Sequence, residues 1–221
     1  MKRMLEVCTD SLQSVRNAVE GGAERIELCS ALQLGGLTPS IGLLQTVRQL
    51  FPRLTVHVLI RPCPGNFSYD RQEILLMERD IRAVLPYADG IVTGVLTEQG
   101  DVDMLAMECL VKSSEGRPVT FHRAFDQCRD PLVALEQIVA LGCRRISTSG
   151  QAPSAEQGVE LLRRLSDLAG DRLIIMPGGG VNPLNASRLL DEVHTSEIHG
   201  SCSCGTGVTD AETVRRILAT I

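Results

Sequence analysis

The feature that most constrains this chain is an alternation repeated eight times, a short apolar run followed by a longer amphipathic one. The short runs are Leu5–Cys8, Arg25–Cys29, Thr55–Arg61, Gly90–Leu96, Val119–Ala124, Arg145–Ser149, Leu173–Met176 and Glu197–His199. Between and after them, residues 11–20, 40–50, 71–85, 102–112, 131–141, 155–169, 183–192 and 211–219 carry the spacing of surface helices. Gly21-Gly22 ends the first helix as a left-handed cap would, and Pro39-Ser40 opens the second. Eight strand–helix pairs with no linker between them predict a closed parallel (β/α)₈ TIM barrel, with residues 1–221 as a single domain. An open doubly wound sheet is the competing arrangement. It usually places G-x-G-x-x-G after the first strand, where this chain reads Cys8-Thr9-Asp10-Ser11.

Composition narrows the partners. The net charge is −5, no block of Lys and Arg stands out, and there are four Phe, two Tyr and no Trp. A nucleic-acid binder would show a basic face or a set of stacking aromatics, so nucleic acid is not an expected partner. The basic opening Met1-Lys2-Arg3 is not followed by an apolar core, because Glu6 and Asp10 interrupt it. No run of apolar residues is long enough to span a membrane, and a cytoplasmic location is expected. In a reducing compartment the eight cysteines are not read as a disulfide framework. They form no CxxC pair, and the one close pair is Cys202-Ser203-Cys204.

Side chains two apart on a strand share a face. Glu6 with Cys8, Glu27 with Cys29, His57 with Leu59 and Arg61, Thr120 with His122, and Glu197 with His199 therefore form one polar set. The opposite faces read Leu5, Val7, Ile26, Leu28, Val58 and Ile60, which suits packing under helices, so the polar set is expected inside the barrel. A buried carboxylate needs a partner, and Arg61 and the histidines are expected to pair with Glu6 and Glu27. Such a set is either an ion-pair network that fills the barrel or a site at the carboxyl ends of the strands.

Cys8 and Cys29 stand at matching positions on neighbouring strands, which lie roughly 4.8 Å apart. Two thiolates that close could hold Cu(I), which prefers sulfur; equally, a buried cysteine can be a small hydrophobe. A zinc site would want four ligands, and no second cysteine pair of that kind is evident. After the seventh strand, Gly178-Gly179-Gly180 precedes Asn182-Pro183, which reads as an N-cap and first helical residue. With Ser149 after the sixth strand, and His122, Arg123 and Asp126 nearby, this loop could cradle a small anion or simply make a tight turn. There is no G-x-S-x-G, P-loop or H-E-x-x-H motif, and His194 is expected at the surface.

These residues together resemble the CutC copper homeostasis proteins. The matching stretches are residues 5–8, 25–29, 35–40 (Gly-Gly-Leu-Thr-Pro-Ser), 60–62, 120–126 (Thr-Phe-His-Arg-Ala-Phe-Asp), 148–150 and 177–180, in family order along nearly the whole chain. The resemblance implies a barrel, a cytoplasmic location, a homo-oligomer and a role in Cu(I) handling, with Cys8 and Cys29 matching the family's proposed copper ligands. Three departures stand out. Arg61-Pro62-Cys63-Pro64-Gly65 replaces the family's Arg-Pro-Arg-Gly-Gly, the loop Ser201–Asp210 is shorter than usual, and Cys202 and Cys204 stand where the family does not generally place cysteines.

Two functions follow as expectations. One is a Cu(I)-binding protein with Cys8 and Cys29 as metal ligands. The other is a barrel enzyme acting on a small phosphorylated or carboxylated metabolite. Its catalytic candidates are Glu27, His122, Arg123 and Asp126, with Arg61, Ser149, Gly178, Gly179, Gly180 and His199 around the anion.

Overall fold

The computed structural model describes residues 2–203, 205 and 207–221. Its strands are β1 (Met4–Thr9), β2 (Arg25–Leu28), β3 (Thr55–Leu59), β4 (Gly90–Thr93), β5 (Val119–Phe121), β6 (Arg145–Thr148), β7 (Ile174–Pro177) and β8 (Glu197–Gly200). Its helices are α1 (Leu12–Glu20), α2 (Ile41–Leu50), α3 (Arg71–Val84), α4 (Met104–Ser113), α5 (Pro131–Ala140), α6 (Val159–Ala169), α7 (Ala186–Val193) and α8 (Ala211–Thr220). All eight strands are parallel and lie in the order β7-β6-β5-β4-β3-β2-β1-β8. A single parallel bridge, Gly178 to His199, joins β7 to β8 and closes the ring. The predicted (β/α)₈ barrel is the observed fold.

Helix starts follow from local chemistry. Ser11, Ser40, Asp103, Asp130 and Asp210 each accept a hydrogen bond from a first-turn N–H, and Asp70 with Glu73 forms a full capping box. At the other end of α1, Gly22 takes φ +97°, which an L side chain rarely adopts. Each helix turns one apolar face inward. Val15 and Ala18 of α1, Leu44 and Val47 of α2, and Met77 and Ile81 of α3 are all fully buried against the outward strand residues Leu5, Val7, Ile26, Leu28, Val56 and Val58. At about 1.5–3 kcal/mol for each such aliphatic side chain, this shell between strands and helices is the main source of stability.

Three helix starts come two or more residues later than the periodicity suggests. Helix α4 begins at Met104 because Asp103 caps it, while Val102 bridges to Leu96 instead. Helix α6 begins at Val159 rather than Ala155, because a turn in which Gly158 N–H donates to the Ser154 carbonyl (3.0 Å) comes first. Helix α7 begins at Ala186 rather than Pro183. There Asn182 caps a preliminary turn, its Oδ1 accepting from Leu184 N–H (2.9 Å), and Asn185 Oδ1 accepts from Asn182 N–H (2.8 Å). No helix among the described residues is long and apolar enough to cross a membrane.

Candidate functional site

The barrel interior is polar and divides into two tiers. The lower tier, toward the amino ends of the strands, is an ion-pair network. Glu6 on β1 is fully buried; it ion-pairs with Arg25 Nε at 2.8 Å and lies 2.7 Å from His57 Nδ1, and it hydrogen-bonds His199 Nδ1 at 3.1 Å. Glu197 on β8 is held by Arg145 through contacts of 2.6 and 3.1 Å, and also by Arg25. Burial works against charge on both carboxylates, yet His57, His199 and Arg25 hold Glu6 well below its ordinary pKa, and Arg145 and Arg25 lower that of Glu197. This tier realises the structural reading of the polar set.

The upper tier opens toward the carboxyl ends. Cys8 Sγ lies 3.8 Å from Cys29 Sγ and donates to Glu27 Oε1 at 3.5 Å. Both thiols are buried, walled by Leu59 and Val92. The separation is far longer than the roughly 2.05 Å of a disulfide. His199, Glu27 and Cys8 each offer a ligand atom within 4.8 Å of the others. The hydrogen bond with Cys29, then burial, then the Glu27 carboxylate push the Cys8 thiol well above its usual pKa. Burial raises Glu27 despite the nearby His199, whereas Glu27 and Glu6 raise His199 against the effect of burial. Two sulfurs, an imidazole and a carboxylate on three strands make a soft-metal donor set. Cys8 and Cys29 are the residues that would hold such an ion, with Glu27 and His199 beside Cys8.

Above this lies a small cavity of about 60 Å³ lined by Glu27, Gly35, Leu59, Arg61, Phe67, His122, Arg123, Ser147 and His199. Arg61 does not pair with Glu6 or Glu27, which corrects the expectation from the strand pattern. It sits beyond the last ladder residue of β3, and its Nη atoms donate to the carbonyls of Leu34, Gly36 and Gly65 at 3.0–3.2 Å, while its guanidinium covers the Phe67 ring at 4.7 Å. Arg25 takes the place expected of it. His122 Nδ1 accepts from Ala124 N–H at 3.2 Å, and burial and Arg61 lower its pKa to about 3, so the ring is neutral. Gly94 makes room for that ring, since a Cβ there would sit 2.6 Å from His122 Nδ1.

Of the other expected site residues, Arg123 bonds Asp126 (2.7 Å) and Ser149 Oγ (2.8 Å) at the cavity edge. The Asp126 carboxylate also accepts from Thr148 and from the backbone N–H groups of Ser149 and Gln151, so its oxygens fix the loop after β6. Gly178 packs beside Ser147 and His199, but its N–H is engaged by the Thr148 carbonyl (2.9 Å). Gly179 lies against Arg123 and Ser149, and the Gly180 carbonyl accepts from Asn182 and Asn185. Cys63 turns toward Glu73 (3.4 Å), Cys202 is buried beside Gly200, and Cys204 lies outside the described residues. His194 is exposed and pairs with Asp167.

Strand alternation alone could have named Arg25 and Arg145, which stand two residues before Glu27 and Ser147. Phe67 lies in a loop and carried no such signal.

Comparison with known proteins adds a consistent set of relatives. The CutC family pattern matches residues 3–204. A CutC family protein of Bacteroides thetaiotaomicron is 46% identical over 201 residues, covering 90% of this chain and 81% of that one. The copper homeostasis protein cutC homolog of Homo sapiens is 47% identical over 199 residues, covering 90% of this chain and 72% of its own. The crystal structure of CutC from Streptococcus agalactiae has a TM-score of 0.86 at 32% identity, covering 90% of this chain and 98% of that chain. Phosphoribosyl anthranilate isomerase from Thermotoga maritima, at 14% identity and TM-score 0.62 over all of this chain and 98% of its own, shares the fold alone.

Proposed function

The chain belongs to the CutC family, and from that premise we propose that it is a copper homeostasis protein that binds Cu(I) through the thiolates of Cys8 and Cys29. The observation that carries this is the 3.8 Å approach of the two buried sulfurs, with Glu27 and His199 beside Cys8. Sulfur ligands select Cu(I) over the hard cations, and the apolar wall of Leu59 and Val92 keeps water from competing for the ion. His199 and Glu27 would add a third and a fourth donor, a set that zinc could also use, so the preference for Cu(I) in this reading rests on the two paired sulfurs.

Within the same proposal, Glu6 is a positioning residue. It accepts from His199 Nδ1, which leaves Nε2 as the imidazole nitrogen that can face an ion. A cytoplasmic location and self-association, both implied by family membership, belong to this reading; light scattering at a monomer mass would remove the second.

The test is an anaerobic Cu(I) competition titration against a chelator of known affinity, run on wild type and on Cys8→Ser/Cys29→Ser. One tight equivalent in wild type and at least a hundredfold weaker binding in the double variant are expected. Equal affinity in the two proteins, or tighter binding of Zn²⁺ than of Cu(I) at matched conditions, would overturn the assignment.

A further inference from the structure

The cavity above the thiols has a chemistry that metal binding does not use. Arg61 is 5% exposed, and among the described residues no carboxylate lies within ion-pair distance of it. Three carbonyls hold its Nη atoms, which fixes the guanidinium in place but leaves its charge unmatched. Its Nε and the neighbouring Tyr69 hydroxyl are both buried without an aligned hydrogen bond. Arg123, by contrast, is already matched by Asp126.

His122 supplies the second, independent observation. Because Nδ1 accepts from Ala124 N–H, the ring proton sits on Nε2. That Nε2 is buried, in a residue 6% exposed that lines the cavity, and it has no partner. A buried donor left unpaired is costly, and native structures rarely keep one without a reason. Glu27 and His199 also line the cavity and stand within 4.8 Å of each other; beside that pair the cavity holds one unmatched cation, Arg61, and one neutral donor, His122, both held rigidly. Gly94 and the Phe67 ring, 4.9 Å from the imidazole, fix His122 from two sides.

From this we infer that the mouth of the barrel binds the carboxylate of a small organic acid, with Arg61 matching its charge and His122 Nε2–H donating to one oxygen. One unmatched cation suits a single negative charge better than the two of a phosphate monoester. The space is also limited, since about 60 Å³ holds roughly four to six water-sized spheres, room for a carboxylate and a carbon or two but not a nucleotide. Any larger part of the acid would extend past Arg123 into solvent. The inference does not rest on the copper reading.

The probe is acetate, titrated into metal-free protein at constant ionic strength with chloride as the balancing ion. The readouts are the His122 Nε2–H resonance in a ¹⁵N-labelled sample and the thermal midpoint. Acetate is expected to shift that resonance saturably in wild type and in the surface control His194→Ala. Binding at least tenfold weaker is expected in Arg61→Met and in His122→Phe, which keeps the ring packing but not the donor. Should Arg61→Met fail to fold, the wild-type resonance and His122→Phe carry the test. Saturation by inorganic phosphate but not acetate, no saturable response to either, or His122→Phe binding as tightly as wild type would each overturn the inference. None of these outcomes depends on the copper titration.

Discussion

Replacing Arg25 by Met tests whether the lower tier is held by charge. The arginine bridges two buried carboxylates, contacting Glu6 at 2.8 Å and also Glu197. Removing one partner of a buried ion pair costs about 3–5 kcal/mol, because it strands the other charge. Here neither carboxylate is wholly stranded, since Glu6 keeps His57 and His199 and Glu197 keeps Arg145. The expected loss at pH 7 is therefore at the lower end, about 3 kcal/mol, read from urea unfolding by circular dichroism. For a chain of this length it corresponds to roughly 6–12 °C in Tm. The pH dependence adds a second check. Both carboxylates have folded pKa values below their unfolded ones, so the stability they contribute is present above about pH 4.3 and is lost as pH falls through the lower folded values. The gap between wild type and variant should thus narrow in acid. A double-mutant cycle with Glu197→Gln should show coupling of about 0.5–3 kcal/mol. A loss under about 1 kcal/mol at pH 7, the scale of an exposed pair, would refute the reasoning.

Three other outcomes follow from the upper tier. Cys8 must lose its proton to become a thiolate ligand and its pKa is raised, so apparent Cu(I) affinity should climb between pH 6 and 8, and a flat profile in the competition titration would count against Cys8 as a ligand. The folded pKa of Glu27 lies above its unfolded value, so wild type loses stability as pH rises through it; Glu27→Gln should be relatively more stable at pH 8 than at pH 4, which unfolding at the two pH values checks. Gly94→Ala puts a methyl 2.6 Å from His122 Nδ1 and should cost about 1–3 kcal/mol by overpacking, measured by urea unfolding.

The residues that were legible in advance share one property, which is that their placement depends on parity along a strand. Counting by two from Glu6 reaches Cys8, and from Glu27 reaches Cys29, so the inward set and the thiol pair could both be read from the sequence. What parity cannot give is which long side chain reaches which partner across a barrel. Arg61 lies two residues past the end of β3, where backbone carbonyls of the adjoining loops are nearer than any interior carboxylate. Arg25 occupies the interior height at which Glu6 and Glu197 both come within reach. Asp126 was legible as polar and near the site, but its role in fixing Ser149 and Gln151 depends on the short 3₁₀ turn after β5. Phe67, on an irregular loop, follows no period at all.

The two tiers bear on each other through His199. Its Nδ1 reaches down to Glu6, while its ring also stands within ligand distance of Cys8 and Glu27. The Cys8 thiol, held protonated by its contact with Cys29 and by burial, is a poor nucleophile, which protects it from oxidation. Admitting Cu(I), as proposed, would reverse that balance. Each cysteine that becomes a thiolate gives up a proton, so two thiolates and one Cu⁺ leave the site one unit more negative than two thiols do. In a desolvated interior that extra charge needs an answer nearby. His199 supplies it when protonated, and its raised pKa, caused by Glu27 and Glu6, favours that form against the pull of burial. As a direct metal ligand the same imidazole would have to be neutral. These roles are mutually exclusive and differ in proton count. Cu(I) loading that releases two protons with His199 protonated outside the coordination sphere, or more than two with it inside, can be told apart by calorimetry in buffers of different ionisation enthalpy. Loading that releases none would exclude both.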